Sequence, residues 1–220
     1  MAGWSTSPLF PQEPFFRRAL FKGRSARIKG GFSLADSVPS FRIENVVATS
    51  LLDSELDLPS IALTLEGAEY EPERFPGLIY RLENPKTATL LFRSGKMVCT
   101  GAKSIPEVHQ AINTVIKRLI AAGVKVSEKV EITIQNLVAS TDLGSPLNLN
   151  TITVSLGLEK VEYEPEQFPG LVYRMDVPKV VLLLFGSGKM VCTGAKKPDD
   201  VKEAIINILS ELKGANLIQT

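Results

Sequence analysis

The sequence is poor in the residues on which most enzymes and metal proteins rely. Its 220 residues include two cysteines, one histidine and one tryptophan. Two cysteines cannot build a disulfide framework, and with a single histidine they cannot complete a zinc site of the usual type. We find no carboxylate pair and no nucleophile–histidine arrangement, and the Gly-Ser-Gly-Lys at residues 186–189 lacks the spacing of a phosphate-binding loop. We therefore expect no catalytic site, no metal and no cofactor.

Long apolar runs are also missing. No run approaches the roughly 18 residues that a membrane-spanning helix needs. Hydrophobic residues make up 44% of the chain and charged residues 22%, which is typical of a globular domain with a sizeable core. The low cysteine content favours a reducing compartment inside the cell.

Charge is nearly balanced overall but uneven along the chain. There are 25 Lys/Arg and 24 Asp/Glu in total, whereas residues 1–40 hold six Lys/Arg and two Asp/Glu. This segment is rich in Pro, Gly and Ser and shows no hydrophobic periodicity. We expect residues 1–40 to form a basic, disordered tail. A transit peptide, a nucleic-acid-binding arm and a mis-started N-terminus are the open alternatives.

The most informative feature is a long internal repeat. Residues 94–103, Ser-Gly-Lys-Met-Val-Cys-Thr-Gly-Ala-Lys, recur unchanged as residues 187–196, and residues 70–81 recur with two substitutions as residues 163–174. The repeat is longer than the 20–50 residues of solenoid proteins. We divide the remaining chain into repeat 1, residues 41–126, and repeat 2, residues 127–220. A duplicated chain should present a pseudo-symmetric surface, and duplex DNA is the commonest partner with matching symmetry.

Each repeat predicts a strand, a short helix, several strands and a long helix. The first strand is expected at residues 41–51 and its copy at 130–141. Asp57 and Asn148 are predicted to cap the short helices, and Ser104 to cap the first long helix. The long helices should end at Gly123 and Gly214. Further strands of repeat 1 are expected at residues 62–70, 77–82, 87–92 and 96–102, with copies in repeat 2.

The strands are apolar on both faces, although two helices per repeat can cover only one face. Residues 180–185, for example, are apolar at every position. We expect Cys99 and Cys192 to be small buried hydrophobes on the covered face. The other face should carry amides, hydroxyls and valines at its centre and cations at its rim, and an exposed apolar patch of that kind usually marks a binding surface.

This combination suits the minor groove of A·T-rich DNA. That groove offers hydrogen-bond acceptors, a floor without the guanine amino group, and phosphates on both sides. Two phenylalanines per repeat lie at a loop tip or a strand end, where they fit paired wedges between base steps. These are Phe75, Phe92, Phe168 and Phe185.

Residues 41–220 resemble the TATA-box-binding protein family. The Phe-Pro-Gly loops, the repeated decapeptide and the Asn-Val-Val-Ala and Asn-Leu-Val-Ala strands carry the resemblance. It implies an α+β saddle of two pseudo-symmetric repeats, with a ten-stranded antiparallel sheet and four helices on the convex face. It also implies a general transcription factor of archaeal type that binds the TATA-box promoter element in the minor groove.

The resemblance assigns roles to individual positions. The four phenylalanines would intercalate and bend the DNA. Base edges would be contacted by Asn45, Asn136, Thr100 and Thr193. The groove floor would be met by Val47, Val98, Val138, Val191, Leu90 and Leu183. Phosphates would be met by Arg81, Lys96, Lys103, Arg174, Lys189, Lys196, Ser94 and Ser187.

The implied partners are A·T-rich promoter duplex DNA, a transcription factor IIB-type protein and, indirectly, RNA polymerase. Glu164 and Glu166 would meet the IIB-type protein, although Glu71 and Glu73 repeat them. The implied location is the cytoplasm or nucleoid for an archaeal protein and the nucleus for a eukaryotic one. Two alternatives stay open: a module that binds an apolar small molecule, and a DNA-repair enzyme with a similar duplicated domain.

Overall fold

The computed structural model describes residues 38–157 and 159–218. Most of the predicted tail, residues 1–37, lies outside this range. The strands are β1 Phe41–Leu51, β2 Ala68–Glu69, β3 Leu78–Glu83, β4 Lys86–Leu91, β5 Lys96–Ala102, β6 Ile132–Asp142, β7 Val161–Glu162, β8 Leu171–Met175, β9 Val180–Leu184 and β10 Lys189–Ala195. The helices are α1 Leu58–Thr64, α2 Ile105–Ala121, α3 Leu149–Leu156 and α4 Pro198–Gly214.

The short helix is longer, and the strand after it shorter, than the sequence predicted. Residues 62–70 were expected to be a strand, which is wrong: Ala62 lies in α1, and β2 has two residues. The Asp57 carboxylate caps α1 by accepting from the Ser60 N–H at 3.4 Å. Helical spacing buries Leu58, Ile61 and Leu65 on one side. The cap and this burial carry the helix through Thr64 and leave no room for a long strand.

All ten strands form one antiparallel sheet, in the order β2-β3-β4-β5-β1-β6-β10-β9-β8-β7. This confirms the predicted fold. The two central strands, β1 and β6, join the halves of the sheet, with pairs running from Phe41 opposite Thr141 to Ser50 opposite Ile132. The predicted boundary between residues 126 and 127 falls in the connection from α2 to β6 and stays a prediction.

The helices cover one face of the sheet. Val46 and Ala48 of β1 and Met97 and Cys99 of β5 are fully buried beneath them. Along α2, Val108, Ile112, Val115 and Leu119 recur at helical spacing and are fully buried as well. Burial raises the pKa of Cys192 to about 12, which keeps this thiol protonated and unreactive. Within the described residues, no helix is both long enough and apolar enough to cross a bilayer.

Candidate nucleic-acid interface

The face opposite the helices, which we call the open face, carries the side chains that alternate with the core. Asn45, Val47 and Thr49 of β1 and Val98 and Thr100 of β5 are half-buried there. Val191 and Thr193 occupy the corresponding places on β10. Because side chains alternate along a strand, burying one set under the helices fixes the other set on this face.

The second half of the open face is packed more tightly than the sequence suggests. Val138 is 9% exposed and Leu183 is 3% exposed, whereas Leu90 is half-buried. Val181 of β9, also nearly buried, stands where the first repeat has Ala88. Val138 and Leu183 therefore offer a smaller contact area than their counterparts in the first repeat.

Two asparagines are held in the same way by a backbone bulge. The Gly101 N–H donates to Asn45 Oδ1 at 2.7 Å, and the Gly194 N–H donates to Asn136 Oδ1 at 2.7 Å. Both glycines have φ of +98° where the strand register shifts. A backbone N–H requires an oxygen, so the contact fixes which way each amide points.

Fixing the oxygen also fixes the amino group. Asn45 Nδ2 lies 3.2 Å from Thr100 Oγ1, and Asn136 Nδ2 lies 3.3 Å from Thr193 Oγ1. An amide nitrogen carries two hydrogens, so one remains to donate on the open face. The structure thus brings together the four residues that the sequence assigned to base edges, as two matching donor pairs.

The four phenylalanines form two contacting pairs, one in each half. The ring centroids of Phe75 and Phe92 are 5.8 Å apart, those of Phe168 and Phe185 are 5.9 Å apart, and each pair meets edge to face at 67°. All four rings are half-buried. Each pair therefore leaves apolar surface exposed at a loop beside one edge of the sheet.

Glycine at the end of each Phe-Pro-Gly motif makes this contact possible. A Cβ on Gly77 would lie 2.7 Å from Phe75 Cε1, and one on Gly170 would lie 2.7 Å from Phe168 Cε1. Both distances are shorter than any normal contact between carbon atoms. A side chain at the third residue of the motif would therefore have to displace the ring above it.

The predicted phosphate-binding residues are exposed, as that role would require. Arg81 Nε lies 3.8 Å from Glu69, and Arg174 lies 3.3 Å from Glu162. Exposed pairs of this kind contribute only about 0–1 kcal/mol, so an arginine can exchange its carboxylate for a phosphate. The remaining exposed members of the set are Lys96, Lys103, Lys189, Lys196, Ser94 and Ser187.

Two further polar residues, Glu44 and Gln135, lie at the centre of the sheet and were not predicted from the sequence. Glu44 accepts from Ser140 Oγ at 2.5 Å and from Arg42 Nε at 2.9 Å. At the matching position, Gln135 Nε2 donates to Thr49 Oγ1 at 2.8 Å. Burial alone would raise the pKa of Glu44, but the hydrogen bonds from Ser140 and Arg42 outweigh it and hold that pKa below its usual value. The signal in the sequence was the one difference between Glu44-Asn45 and Gln135-Asn136.

Each half has a loop with two glutamates, Glu71 and Glu73 in the first and Glu164 and Glu166 in the second. These acidic loops differ in one contact. In the first, Arg74 pairs with Glu71 at 3.1 Å. In the second, Gln167 takes the place of the arginine and donates a hydrogen bond to Glu164. Glu164 and Glu166 are exposed, and their loop, residues 163–167, contains no cationic residue. Elsewhere, no group of three or more His, Cys, Asp or Glu able to hold a metal ion occurs in the part of the chain that the structure describes.

The chain is similar throughout this region to one known family. A family model described as transcription factor TFIID, or TATA-binding protein, matches residues 40–122 and again residues 131–215. The TATA-box-binding protein of Natronomonas pharaonis is 56% identical over 84% of this chain and 99% of its own length. That of Thermoplasma volcanium is 59% identical over 80% of this chain and 96% of its own length. The solved structure of Methanococcus jannaschii TBP has 55% identity and a TM-score of 0.74, covering 80% of this chain and 99% of its own.

The glycine contact generates a prediction for the phenylalanine pair. In Gly170→Ala the new methyl group should push the Phe168 ring away from Phe185, abolishing the nuclear Overhauser effects between the two rings. The ring can swing towards solvent, so the loss of stability should stay near 1 kcal/mol, the lower end of overpacking costs. Gly186→Ala is the control, because its Cβ would meet only Leu147 O at an ordinary 3.6 Å. Intact ring-to-ring signals in Gly170→Ala would contradict this account.

Proposed function

Because the chain belongs to the TATA-box-binding protein family, we propose that it is a general transcription factor that binds the TATA element of promoters through the DNA minor groove. The observation that carries this proposal is the doubled arrangement on the open face. Each half supplies an oriented amide, an adjacent hydroxyl and a phenylalanine pair on one continuous sheet. A cleft on the helix side gives little support to the apolar small-molecule alternative, because its lining includes the charged residues Glu66 and Arg118.

Base recognition would come from the two donor pairs. In A·T pairs the minor groove presents adenine N3 and thymine O2, both of which are acceptors. The amino groups of Asn45 and Asn136, with their oxygens engaged by backbone N–H groups, supply the matching donors. The neighbouring apolar side chains would contact the groove floor, where a guanine amino group would be left without an acceptor. These are Val47, Val98, Val138, Val191, Leu90 and Leu183.

The phenylalanine pairs would act as wedges at the two ends of the bound site. Inserting a ring between base steps costs a few kcal/mol of stacking and kinks the duplex towards the major groove. The kink opens the minor groove, so that the open face can reach the base edges. Rings already packed against each other lose little side-chain freedom on insertion, which lowers the cost of binding.

The exposed cations and serines at the rim would hold the sugar–phosphate backbones. Each neutralised phosphate releases counterions, so affinity should fall as salt concentration rises. Burial of the apolar centre does not depend on salt in this way. The dependence should therefore be less steep than for a protein that binds DNA by charge alone.

We further propose that a transcription factor IIB-type protein binds the second acidic loop and that this complex then nucleates assembly with RNA polymerase. The loop sequences are nearly identical, so the choice must rest on their few differences. Arg74 neutralises Glu71 in the first loop, whereas Gln167 leaves the charge of Glu164 in place. A basic partner would meet two uncompensated carboxylates only in the second loop, and this would orient the complex on the promoter.

The wedge assignment is tested by removing the second pair of rings. Phe168→Ala with Phe185→Ala should weaken binding to a TATA duplex by about 1–3 kcal/mol per ring, the range for base–aromatic stacking. End-to-end energy transfer on a doubly labelled duplex should fall as the bend is lost. Leu63→Ala removes an exposed side chain on the helix side and serves as the control. An unchanged bend in the double variant would overturn the wedge assignment.

The donor role of Asn136 is tested by an isosteric change. In Asn136→Asp one oxygen still accepts from Gly194, so the fold should be kept, while the donor becomes a second acceptor. Binding to the TATA duplex should weaken by at least about 1–3 kcal/mol, the value of a good base contact. Asn113→Asp, at an exposed position of α2, adds the same charge on the helix side and should change affinity little. Equal losses for the two variants would mean that charge alone, and not the donor, is responsible.

Exchanging the loop residues tests the choice of partner surface. Gln167→Arg should place a cation beside Glu164 and weaken capture of the IIB-type protein on promoter DNA by roughly tenfold, as expected for a close charge pair. Arg74→Gln makes the first loop resemble the second and should not weaken capture. Capture is measured by fluorescence anisotropy with the preformed DNA complex. A loss in Arg74→Gln, with none in Gln167→Arg, would assign the partner to the first loop.

A further inference from the structure

The helix side carries two clefts at matching places in the two halves. The first has a volume of about 510 Å³ and is lined in part by Tyr80 and Arg118. The second has a volume of about 420 Å³ and is lined in part by Tyr173 and Glu211. The tyrosines match between the repeats, whereas the arginine of the first cleft is replaced by a glutamate in the second. Neither cleft includes a residue of the open face.

In the first cleft the chain supplies its own cation. The Arg118 guanidinium donates to the Tyr80 hydroxyl and lies 5.6 Å from the centre of the Tyr80 ring. This position combines a hydrogen bond with a cation–π contact. The first cleft is thus an internal example of how a guanidinium fits beside this tyrosine.

In the second cleft the charge is reversed. The Tyr173 hydroxyl donates to Glu211 Oε2 at 2.7 Å. Burial, and then the carboxylates of Glu211 and Asp176, raise the pKa of Tyr173 well above its usual value. The lining holds these two carboxylates and the ammonium group of Lys160. Within the described residues, no ion pair is made by Glu211 or Asp176.

Two exposed apolar side chains of the second half belong to or adjoin the second cleft: Val177 lines it, and Ile206 precedes the lining residue Asn207. Val177 is 72% exposed and Ile206 is 44% exposed. The corresponding residues of the first repeat are Asn84 and Asn113. Asn207 Nδ2 donates to the Val177 carbonyl at 3.1 Å and so ties the turn that carries Val177 to α4. The apolar patch is held in place next to the acidic cleft.

We propose that the second cleft, with Val177 and Ile206 at its edge, is a docking site for a basic, amphipathic polypeptide segment of a partner protein. An arginine or lysine of that segment would lie between Glu211 and Asp176, in the position that Arg118 takes in the first half. Apolar side chains on the same face of the segment would cover Val177 and Ile206. The site lies on the helix side and not on the open face, so the protein would bind the segment and DNA at the same time.

The test uses the full chain and a synthetic 14-residue helical peptide with arginines and leucines along one face. Fluorescence anisotropy gives the affinity, and chemical shifts of the isotope-labelled protein locate the site. A second peptide replaces each arginine by glutamate. Glu211→Arg copies the first repeat, as does the pair Val177→Asn with Ile206→Asn. Glu128→Gln removes an exposed charge from the connection between α2 and β6 and is the control.

We expect the basic peptide to shift resonances of residues 173–177 and 203–211, and the acidic peptide to leave them unchanged. Glu211→Arg should weaken binding roughly tenfold and the double asparagine variant roughly fivefold, whereas Glu128→Gln should have no effect. If Glu211→Arg does not fold, Glu211→Gln replaces it, because it keeps an acceptor for Tyr173 while removing the charge.

Three results would overturn the proposal. The first is an affinity that does not change in the Glu211 variants. The second is a set of shifts centred on the loop 163–167 or on the open face. The third is self-association without peptide that Glu211→Arg abolishes, which would assign the cleft to the first-half surface of a second copy, with its Arg118. None of these results depends on DNA binding, so failure here and failure of the proposed function are separable.

Discussion

The pairing of β1 with β6 is the contact on which the rest of the molecule depends. It is the only place where strands of the two halves meet in the described sheet, and it turns two half-sheets into one surface. Both strands carry a bulge near their asparagine, so Asn45 and Asn136 lie on the open face while Val46 and Leu137 lie in the core. A slip of one residue would exchange the two faces of a strand. Buried residues such as Val46 would then face water, and the asparagines would lie beneath the helices. The register therefore sets the core and the candidate interface together.

The two halves share many of their buried residues, and charge differences between them lie at exposed positions. Met97 and Met190, Cys99 and Cys192, and Tyr80 and Tyr173 are identical pairs, and all are buried. Replacing a residue in a close-packed core leaves a cavity or a clash. Exposed positions have no such limit, and the charge differences fall there: Arg74 against Gln167, and Arg118 against Glu211. The two halves of a molecule built by duplication thus come to differ through exposed side chains that contribute little to its stability.

The sequence predicted elements whose signals are local. β1 and β5 match residue for residue, and Asp57, Asn148 and Ser104 cap helices as expected. Residues 62–70 were misassigned because a short apolar run does not distinguish a second helical turn from a strand. In the candidate site, residue types and faces were predictable from alternation and from the family resemblance. The orientation of the amides was not, because it depends on a glycine N–H in a different strand. The contact between Glu44 and Ser140 likewise depends on strand register.

The side chains of the open face share their backbone with the core, residue by residue. Val47 lies between Val46 and Ala48, both fully buried, and Val98 lies between Met97 and Cys99. The open face cannot yield to a ligand without opening the core beneath it, so its shape is stiff. In the proposed complex the duplex would have to deform instead of the protein. Selectivity would then follow the mechanical compliance of each DNA sequence as well as its hydrogen-bonding pattern, and two sites with the same base contacts would differ in affinity by the ease with which they bend.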